Sequence, residues 1–298
     1  MKDITGTNSN KIRKNMKIYD MLEPDEEKIL ENIQKNNRVF FDVAIKFLKL
    51  GYELFPSDDK LLKNNLNPNI QTSFWGLYAQ IFMLYRSIMV LCKCGLDLES
   101  IILLRSMFET LIYFYYIAEK NHEERLNIYL HSRALSEYVS VCEYAGMNQG
   151  FKSQYKLEFK SVEEKYNAAL KYFRNKHGQN LSPKEIKYKY ALKAKKARES
   201  LEKSSEEKIF FDKHYKTMYR YASAICHAER IPQHVRLALD TERILIRKRS
   251  TDGHIGFSLS YATVYIFCAM SKLNEILKIG KDKEIDEMQK EIDKFAEK

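Results

Sequence analysis

The sequence predicts an all-α protein, a multi-helix bundle, from two observations. Only 10 glycines and 5 prolines interrupt the 298 residues, and between them apolar residues recur every three or four positions, which is the period of an α-helix. A hydrophobic fraction of 45% with 12% aromatic residues is sufficient for a buried core and excludes an intrinsically disordered chain. We expect one helical domain over residues 23–298, preceded by a flexible Lys- and Asn-rich arm at residues 1–22.

The first half of the chain predicts four helices, near residues 24–51, 70–94, 98–119 and 123–144. The third is apolar around more than half of its circumference, so we expect it at the centre of the bundle. None of these helices offers about 20 uninterrupted apolar residues, which favours core helices and no membrane contact.

Arg105 and Glu109 lie four residues apart on the remaining polar strip of the third helix. This is the spacing of an intrahelical ion pair. We interpret the two residues as structural or as support for a site.

Residues 151–203 carry 15 Lys and Arg against 6 Asp and Glu, so nearly the whole net charge of +10 lies there. The pattern predicts a projecting helical hairpin, a basic insertion whose second arm starts at Ser182 and continues as one helix to Leu201. Its basic face would attract phosphates in a salt-dependent way. The alternative is an arm that is only solvated. The lysines and arginine assigned to substrate binding here are Lys187, Lys193, Lys196 and Arg198.

A long helix is predicted from Ser204, which forms a capping box with Glu207, to Pro232. Its core-facing stripe consists of residues spaced by three and four, namely Phe211, Tyr215, Met218, Ala222 and Ile225. The opposite face is a basic seam, Lys213, Lys216, Arg220, Ser223 and His227. Seven residues at about 100° each bring His227 to within about 20° of Arg220 around the helix axis.

Beyond Pro232, turn residues between β-branched runs favour one small β-hairpin near residues 243–259. A helix from about Ser258 to Ile279 and a charged amphipathic helix follow it.

The five cysteines are too few and of the wrong number for a disulfide framework, and no leader peptide pattern opens the chain. A reducing, cytoplasmic location is the natural expectation. Cys92 and Cys94 lack a second ligand pair at zinc-site spacing, so we expect them to be small core residues and expect no metal and no cofactor.

Two segments together resemble a bacterial all-helical family of unknown function. They are LLRSMFETLIYFYYIAE at residues 103–119 and YASAICHAE at residues 221–229. The recurring features of that family are an Arg-Ser-x-x-Glu helix and a Ser-x-x-x-His segment, which correspond here to Arg105, Ser106, Glu109, Ser223 and His227. The resemblance implies a helical fold and no established activity.

The second segment also resembles the HEPN superfamily, helical proteins of toxin–antitoxin, phage-defence and RNA-processing systems, many of them ribonucleases. Their signature is an arginine and a histidine with four to six residues between them, matched here by Arg220 and His227 with six between, although Tyr221 replaces the usual polar residue. The resemblance implies a metal-independent endoribonuclease in a defence or toxin–antitoxin context.

In that interpretation His227 accepts the proton of a ribose 2′-hydroxyl, Arg220 stabilises the phosphorane and Ser223 orients the substrate. Lys213, Lys216 and the lysines of residues 184–198 hold the RNA strand. A homodimer would bring two such pairs into one cleft.

The alternative is a non-catalytic helical module. It would bind nucleic acid, a nucleotide or a protein partner from the same operon through the basic arm. A structural partner in a larger system is a third interpretation, in which Arg105 and Glu109 serve only the core.

Overall fold

The computed structural model of the protein describes residues 26–56, 66–147, 156–202, 205–226, 235–238, 243–246 and 253–296. Within these ranges the fold is all-α, as predicted, with one two-stranded β-hairpin. The helices are α1 (Glu26–Asn36), α2 (Arg38–Glu53), α3 (Pro68–Lys93), α4 (Asp97–Glu119), α5 (His122–Met147), α6 (Lys156–His177), α7 (Pro183–Glu185), α8 (Ala194–Glu199), α9 (Glu206–His214), α10 (Arg220–Cys226), α11 (Ile255–Leu277) and α12 (Asp282–Ala296). The predicted arm at residues 1–22 lies outside the described residues.

Two five-residue π-helical turns interrupt the helical path. The first π turn (Ile186–Tyr190) follows α7, and the second π turn (Tyr215–Tyr219) joins α9 to α10. A π turn holds more residues per turn than an α-helix, so it shifts the phase of the side chains that follow.

Helix α4 lies at the centre of the bundle, as its sequence, apolar around more than half of the helix, predicts. It packs against α3, α8, α10 and α11, and Leu104, Phe108 and Leu111 are completely buried. The chain turns from α3 into α4 at Gly95, which has φ +68°, a conformation that glycine adopts without steric cost.

By length and composition α3 and α4 are apolar enough to cross a membrane, and 39% and 61% of their most apolar windows are buried inside the protein. Burial of this kind is also typical of core helices.

The first predicted helix is two helices. Asn37 separates α1 from α2, and α2 continues through the predicted end at Gly51 to Glu53. Gly51 therefore does not end the helix. A Cβ at this position would lie 2.6 Å from the ring of Phe82. The glycine instead permits close packing of α2 on α3.

The basic segment forms an arm with a small core of its own. Helix α6 packs along α5, and a separate cluster of buried residues fills the space between them and the first π turn: Ala134, Leu135, Ala169, Leu170, Phe173, Ile186 and Ala191. The capping box at Ser182 and Glu185 is present, as predicted. We call α5, α6, α7 and the first π turn the arm.

The second arm of the predicted hairpin is not one continuous helix. Ala191 (ψ 140°) and Lys193 (ψ 157°) have extended backbone, and α8 then returns to pack on α4. The apolar positions Ile186, Ala194, Ala197 and Leu201 are nevertheless buried, as predicted. Ile186, before the break, and the three positions after it are buried against different partners, and the break in the helix permits this.

The helix predicted from Ser204 has Ser205 as its N-cap residue, whose Oγ accepts from the backbone N–H of Lys208 at 3.0 Å. Phe211, Met218 and Ala222 of the predicted core stripe are completely buried. Helix α10 is described to Cys226, and His227 and Pro232 lie outside the described residues.

The β-hairpin lies earlier than predicted. Strand β1 (Val235–Ala238) pairs antiparallel with β2 (Arg243–Ile246). The predicted second strand, up to residue 259, is instead the first turn of α11. Ile255, Leu259 and Ala262 are buried at helical spacing, so burial along one helix face outweighs the β-branched composition.

Candidate functional site

A basic groove lies where α8 meets the second π turn and α10. Its volume is about 590 Å³. The lining residues are Lys195, Arg198, Tyr215, Lys216, Tyr219, Arg220, Ser223 and Ala224. Four of these carry a positive charge, and none of the lining residues that the structure describes is a carboxylate. We call this site the groove.

The groove brings together four of the residues predicted from the sequence. Lys216, Arg220 and Ser223 come from the seam of the long helix, and Arg198 comes from the basic segment. These two stretches meet because Phe211, Met218 and Ala222 are buried on the opposite side of the helix, which turns the seam outward toward α8.

Other predicted residues lie elsewhere. Lys213 is exposed and does not line the groove. Lys187 lines a different pocket on the arm, and Lys193 Nζ lies 5.3 Å from the ring centroid of Tyr188. Lys196 Nζ donates to the carbonyl of Lys189 at 2.6 Å, and burial lowers its pKa. His227 is outside the described residues.

Arg198 forms a wall of the groove rather than a free cation. Its side chain is only 10% exposed, and Nη1 lies 3.3 Å from Asp212 Oδ1. The guanidinium carbon is 3.9 Å from the ring centroid of Tyr215. These contacts fasten α8 to α9 and to the second π turn.

The two tyrosines of the second π turn are stacked on each other. The ring centroids of Tyr215 and Tyr219 are 4.6 Å apart, and their planes differ by 15°. Arg198 and Tyr219 cannot share one face of Tyr215 without steric overlap, so they cover its opposite faces. Tyr215 therefore has no face left on which a nucleic-acid base could stack.

Arg105 and Glu109 contact Tyr219, one of the residues that line the groove. Arg105 Nε donates to Glu109 Oε1 at 3.3 Å, and the Tyr219 hydroxyl donates to the same oxygen at 2.8 Å. The Arg105 guanidinium carbon also lies 5.1 Å from the ring centroid of Tyr219. Burial, together with the hydrogen bond to Glu109, raises the pKa of Tyr219. The predicted ion pair thus fixes a tyrosine that lines the groove.

Sequence reasoning missed Tyr215 and Tyr219 as groove residues, whereas Lys195 belongs to the lysines of residues 184–198 that were expected to hold the strand. The i, i+4 spacing of the two tyrosines was a usable signal. It was assigned to the core because Tyr215 follows the apolar period of the helix.

A second polar cluster, also missed, joins the first turns of α4 and α11 to α10. The buried carboxylate of Asp97 accepts from the backbone N–H of His254 at 3.0 Å and lies 3.1 Å from its Nδ1. His254 Nε2 is 2.6 Å from the Tyr221 hydroxyl. The residues that form it are 124 and 33 positions apart along the chain, so no sequence motif marks it. Its contacts hold three helix ends together.

Among the residues that the structure describes, no group of three or more His, Cys, Asp and Glu side chains is placed to hold a metal ion. None of the five cysteines forms a disulfide bond. Cys92 is buried, as expected for a core residue, whereas Cys94 is only partly buried.

A family model described as a family of unknown function (DUF5677) matches residues 73–238. The match covers more than half of the chain and includes Arg105, Glu109 and every residue that lines the groove. No curated protein and no solved structure matches the chain. The predicted resemblance to an uncharacterised family is confirmed, and the resemblance to the HEPN superfamily stays a prediction.

Proposed function

The chain belongs to the DUF5677 family, whose function is unknown, and from the chemistry of the groove we propose that it binds the phosphate backbone of single-stranded RNA. The observation that carries this proposal is the set of three exposed cations, Lys195, Lys216 and Arg220, without a lining carboxylate. Such a surface favours polyanions, whose binding releases counterions.

The supporting contacts favour phosphates over bases. Lys195, Lys216 and Arg220 are exposed at the groove, whereas the ring of Tyr215 is covered on both faces. Backbone contacts position a strand without reading its sequence. The groove should therefore bind RNA with little sequence preference and with strong salt dependence.

Binding is tested with the double variant Lys216→Gln/Arg220→Gln and a fluorescein-labelled single-stranded RNA, by anisotropy at several salt concentrations. Losing two phosphate contacts should reduce the slope of log K against log salt by about 1.4. The matched control is Arg38→Gln/Lys290→Gln, which removes the same charge from exposed positions of α2 and α12. If both double variants weaken binding equally, the groove is not the site.

Cleavage of the bound RNA is a second candidate function, favoured by the presence of Arg220 and Ser223 on one groove. In this reaction the 2′-oxygen attacks phosphorus as its proton passes to His227, and the 5′-oxygen leaves and takes a proton from solvent. An unperturbed histidine titrates near 6.5 and suits this step at neutral pH. Arg220 would neutralise the phosphorane oxygens.

The cleavage experiment uses purified protein and single-stranded RNA in EDTA. The expected products are a 2′,3′-cyclic phosphate and a 5′-hydroxyl, and His227→Ala should abolish their formation while it preserves the circular dichroism spectrum. If wild type binds RNA but leaves it intact, the non-catalytic binding module is the correct function.

Assembly and context remain part of this proposal. A homodimer would place two grooves on one particle, which light scattering at micromolar concentration tests. A defence or toxin–antitoxin role predicts an antitoxin, nucleotidyltransferase or restriction gene beside this one.

A further inference from the structure

A second pocket, of about 270 Å³, lies on the arm. Its lining residues are Leu135, Val139, Tyr166, Pro183, Lys184, Lys187 and Tyr188. Leu135, Val139 and Pro183 form its apolar lining, which we call the floor. Two lysines also line it, and no carboxylate is among the lining residues that the structure describes. We call it the arm pocket.

Tyr188 is the unusual feature of this pocket. It is 63% exposed, the highest value, shared with Ile209, among the exposed large hydrophobic residues of the described chain. Lys193 Nζ lies over its ring at 5.3 Å from the centroid, and this degree of exposure leaves the ring with an open face. A single exposed tyrosine is ordinary on a protein surface, but this one is carried by a turn that is held in place on both sides.

The turn that carries Tyr188 is fixed at both ends. On its N-terminal side Ser182 and Glu185 form a reciprocal capping box. On its C-terminal side Lys196 Nζ donates to the carbonyl of Lys189 at 2.6 Å, and the ring of His177 stacks on Tyr190 with centroids 4.2 Å apart. A rigid mount lowers the entropic cost of binding to the exposed ring.

We propose that the arm pocket takes a base of the bound RNA, stacked on Tyr188, while Lys184 and Lys187 hold the adjoining phosphates. This inference rests on the proposed RNA binding by the groove. An aromatic face flanked by cations over an apolar floor is the chemistry by which single-stranded nucleic acid is held. A planar base would pack on the apolar floor, and the adjoining phosphates would pair with the lysines.

The two sites lie on one continuous basic stretch. Lys193 contacts Tyr188 at the arm pocket, and two residues later Lys195 lines the groove. A strand that follows these cations passes from one site to the other. The groove binds backbone because the ring of Tyr215 is covered on both faces, and the arm pocket supplies the exposed aromatic face.

The test measures the affinity of the full chain for labelled oligoadenylate and for a strand of equal length with abasic sites. Tyr188→Ala should weaken oligoadenylate binding roughly 5- to 150-fold, the range for loss of one base–aromatic stack. The salt slope should not change, because no phosphate contact is lost. Tyr188→Phe keeps the ring and should bind like wild type. Tyr144→Ala removes another half-exposed tyrosine of the arm and should also bind like wild type. On the abasic strand, wild type and Tyr188→Ala should bind alike.

The outcomes separate this inference from the proposed function. If Lys216→Gln/Arg220→Gln weakens binding and Tyr188→Ala does not, the arm pocket is not a base site and the groove proposal stands. If Tyr188→Ala weakens the abasic strand as much as oligoadenylate, stacking is refuted. If only Tyr188→Ala weakens binding, the groove proposal is refuted. If wild type binds no RNA, both the groove proposal and the arm-pocket proposal are refuted. A Tyr188-dependent affinity for acidic peptides without affinity for RNA would identify a protein partner instead.

Discussion

The two π turns of this protein have the same length and a similar sequence, IKYKY and YKTMY, but they present their tyrosines in opposite ways. In the second π turn, Tyr215 is covered by Arg198 on one face and by Tyr219 on the other. In the first, Tyr188 is 63% exposed. The difference comes from the neighbouring elements, since Arg198 of α8 lies over the ring of Tyr215, whereas no described helix covers Tyr188. The same local geometry therefore builds a structural wall in one place and a candidate binding face in the other.

The largest loss of stability should come from replacing Arg198, the wall residue of the groove. Arg198→Ala deletes a buried guanidinium that stacks on Tyr215 and leaves Asp212, itself 39% exposed, with one fewer partner. Because Asp212 is partly solvated, we expect a loss of about 2–3 kcal/mol in unfolding free energy, below the full cost of breaking a buried pair. Urea denaturation measures it. Lys195→Ala, on the same helix but 69% exposed at its side chain, should stay within about 0.5 kcal/mol of wild type. Equal losses would contradict the assignment of Arg198 to the wall.

A smaller effect is expected from the hydroxyl of Tyr219. Tyr219→Phe keeps the stack on Tyr215 but removes the bridge to Arg105 and Glu109, which should lower the unfolding free energy by about 1–2 kcal/mol. Tyr188→Phe is the matched change in the other π turn and should have no effect on thermal unfolding. A stable Tyr219→Phe protein would show that the polar network does not hold the second π turn.

The third difference appears only in acid. Burial lowers the pKa of His214, the residue before the second π turn, to about 4. Between pH 6.5 and 4 the unfolded chain therefore binds a proton that the folded protein does not, so stability falls as the pH falls through this window and is unaffected above it.

His214→Asn removes the titrating imidazole, so it should show a smaller loss of melting temperature than wild type over the same pH window. The asparagine amide can still meet the Tyr265 hydroxyl, which lies 3.0 Å from His214 Nδ1. His177 stacks on the first π turn and is largely solvated, so His177→Asn should have the weaker effect. Parallel pH curves for wild type and His214→Asn would refute this role for His214.

The smallest effect on stability belongs to Tyr188. Tyr188→Ala should change the unfolding free energy by no more than about 0.5 kcal/mol, because the side chain is mostly exposed. The same variant should lose affinity for oligoadenylate in the binding experiment described above. A stability loss comparable to that of Arg198→Ala would make Tyr188 a packing residue and remove the contrast between the two turns.

Several features of the site followed from the sequence because they depend on neighbours along one helix. Helical spacing placed Arg220 and Ser223 on one face and Phe211, Met218 and Ala222 on the other, and the buried positions confirm it. The ion-pair spacing of Arg105 and Glu109 likewise predicted their contact. The partner of that pair, Tyr219, is 110 residues from Glu109, and no local period predicts such a contact.

The sequence by itself determined the all-α class, the central position of α4 and the basic character of the segment before the long helix, because each follows from composition and from a period that the backbone imposes. Only the tertiary structure decided where the helices break, which cations meet and which aromatic rings are covered. Lys216 and Arg198 share a groove because α8 folds back onto α4, and Tyr188 is exposed because nothing in the described part of the chain packs over it. Such contacts arise from the packing of distant segments, whose free energy depends on shape and burial in three dimensions.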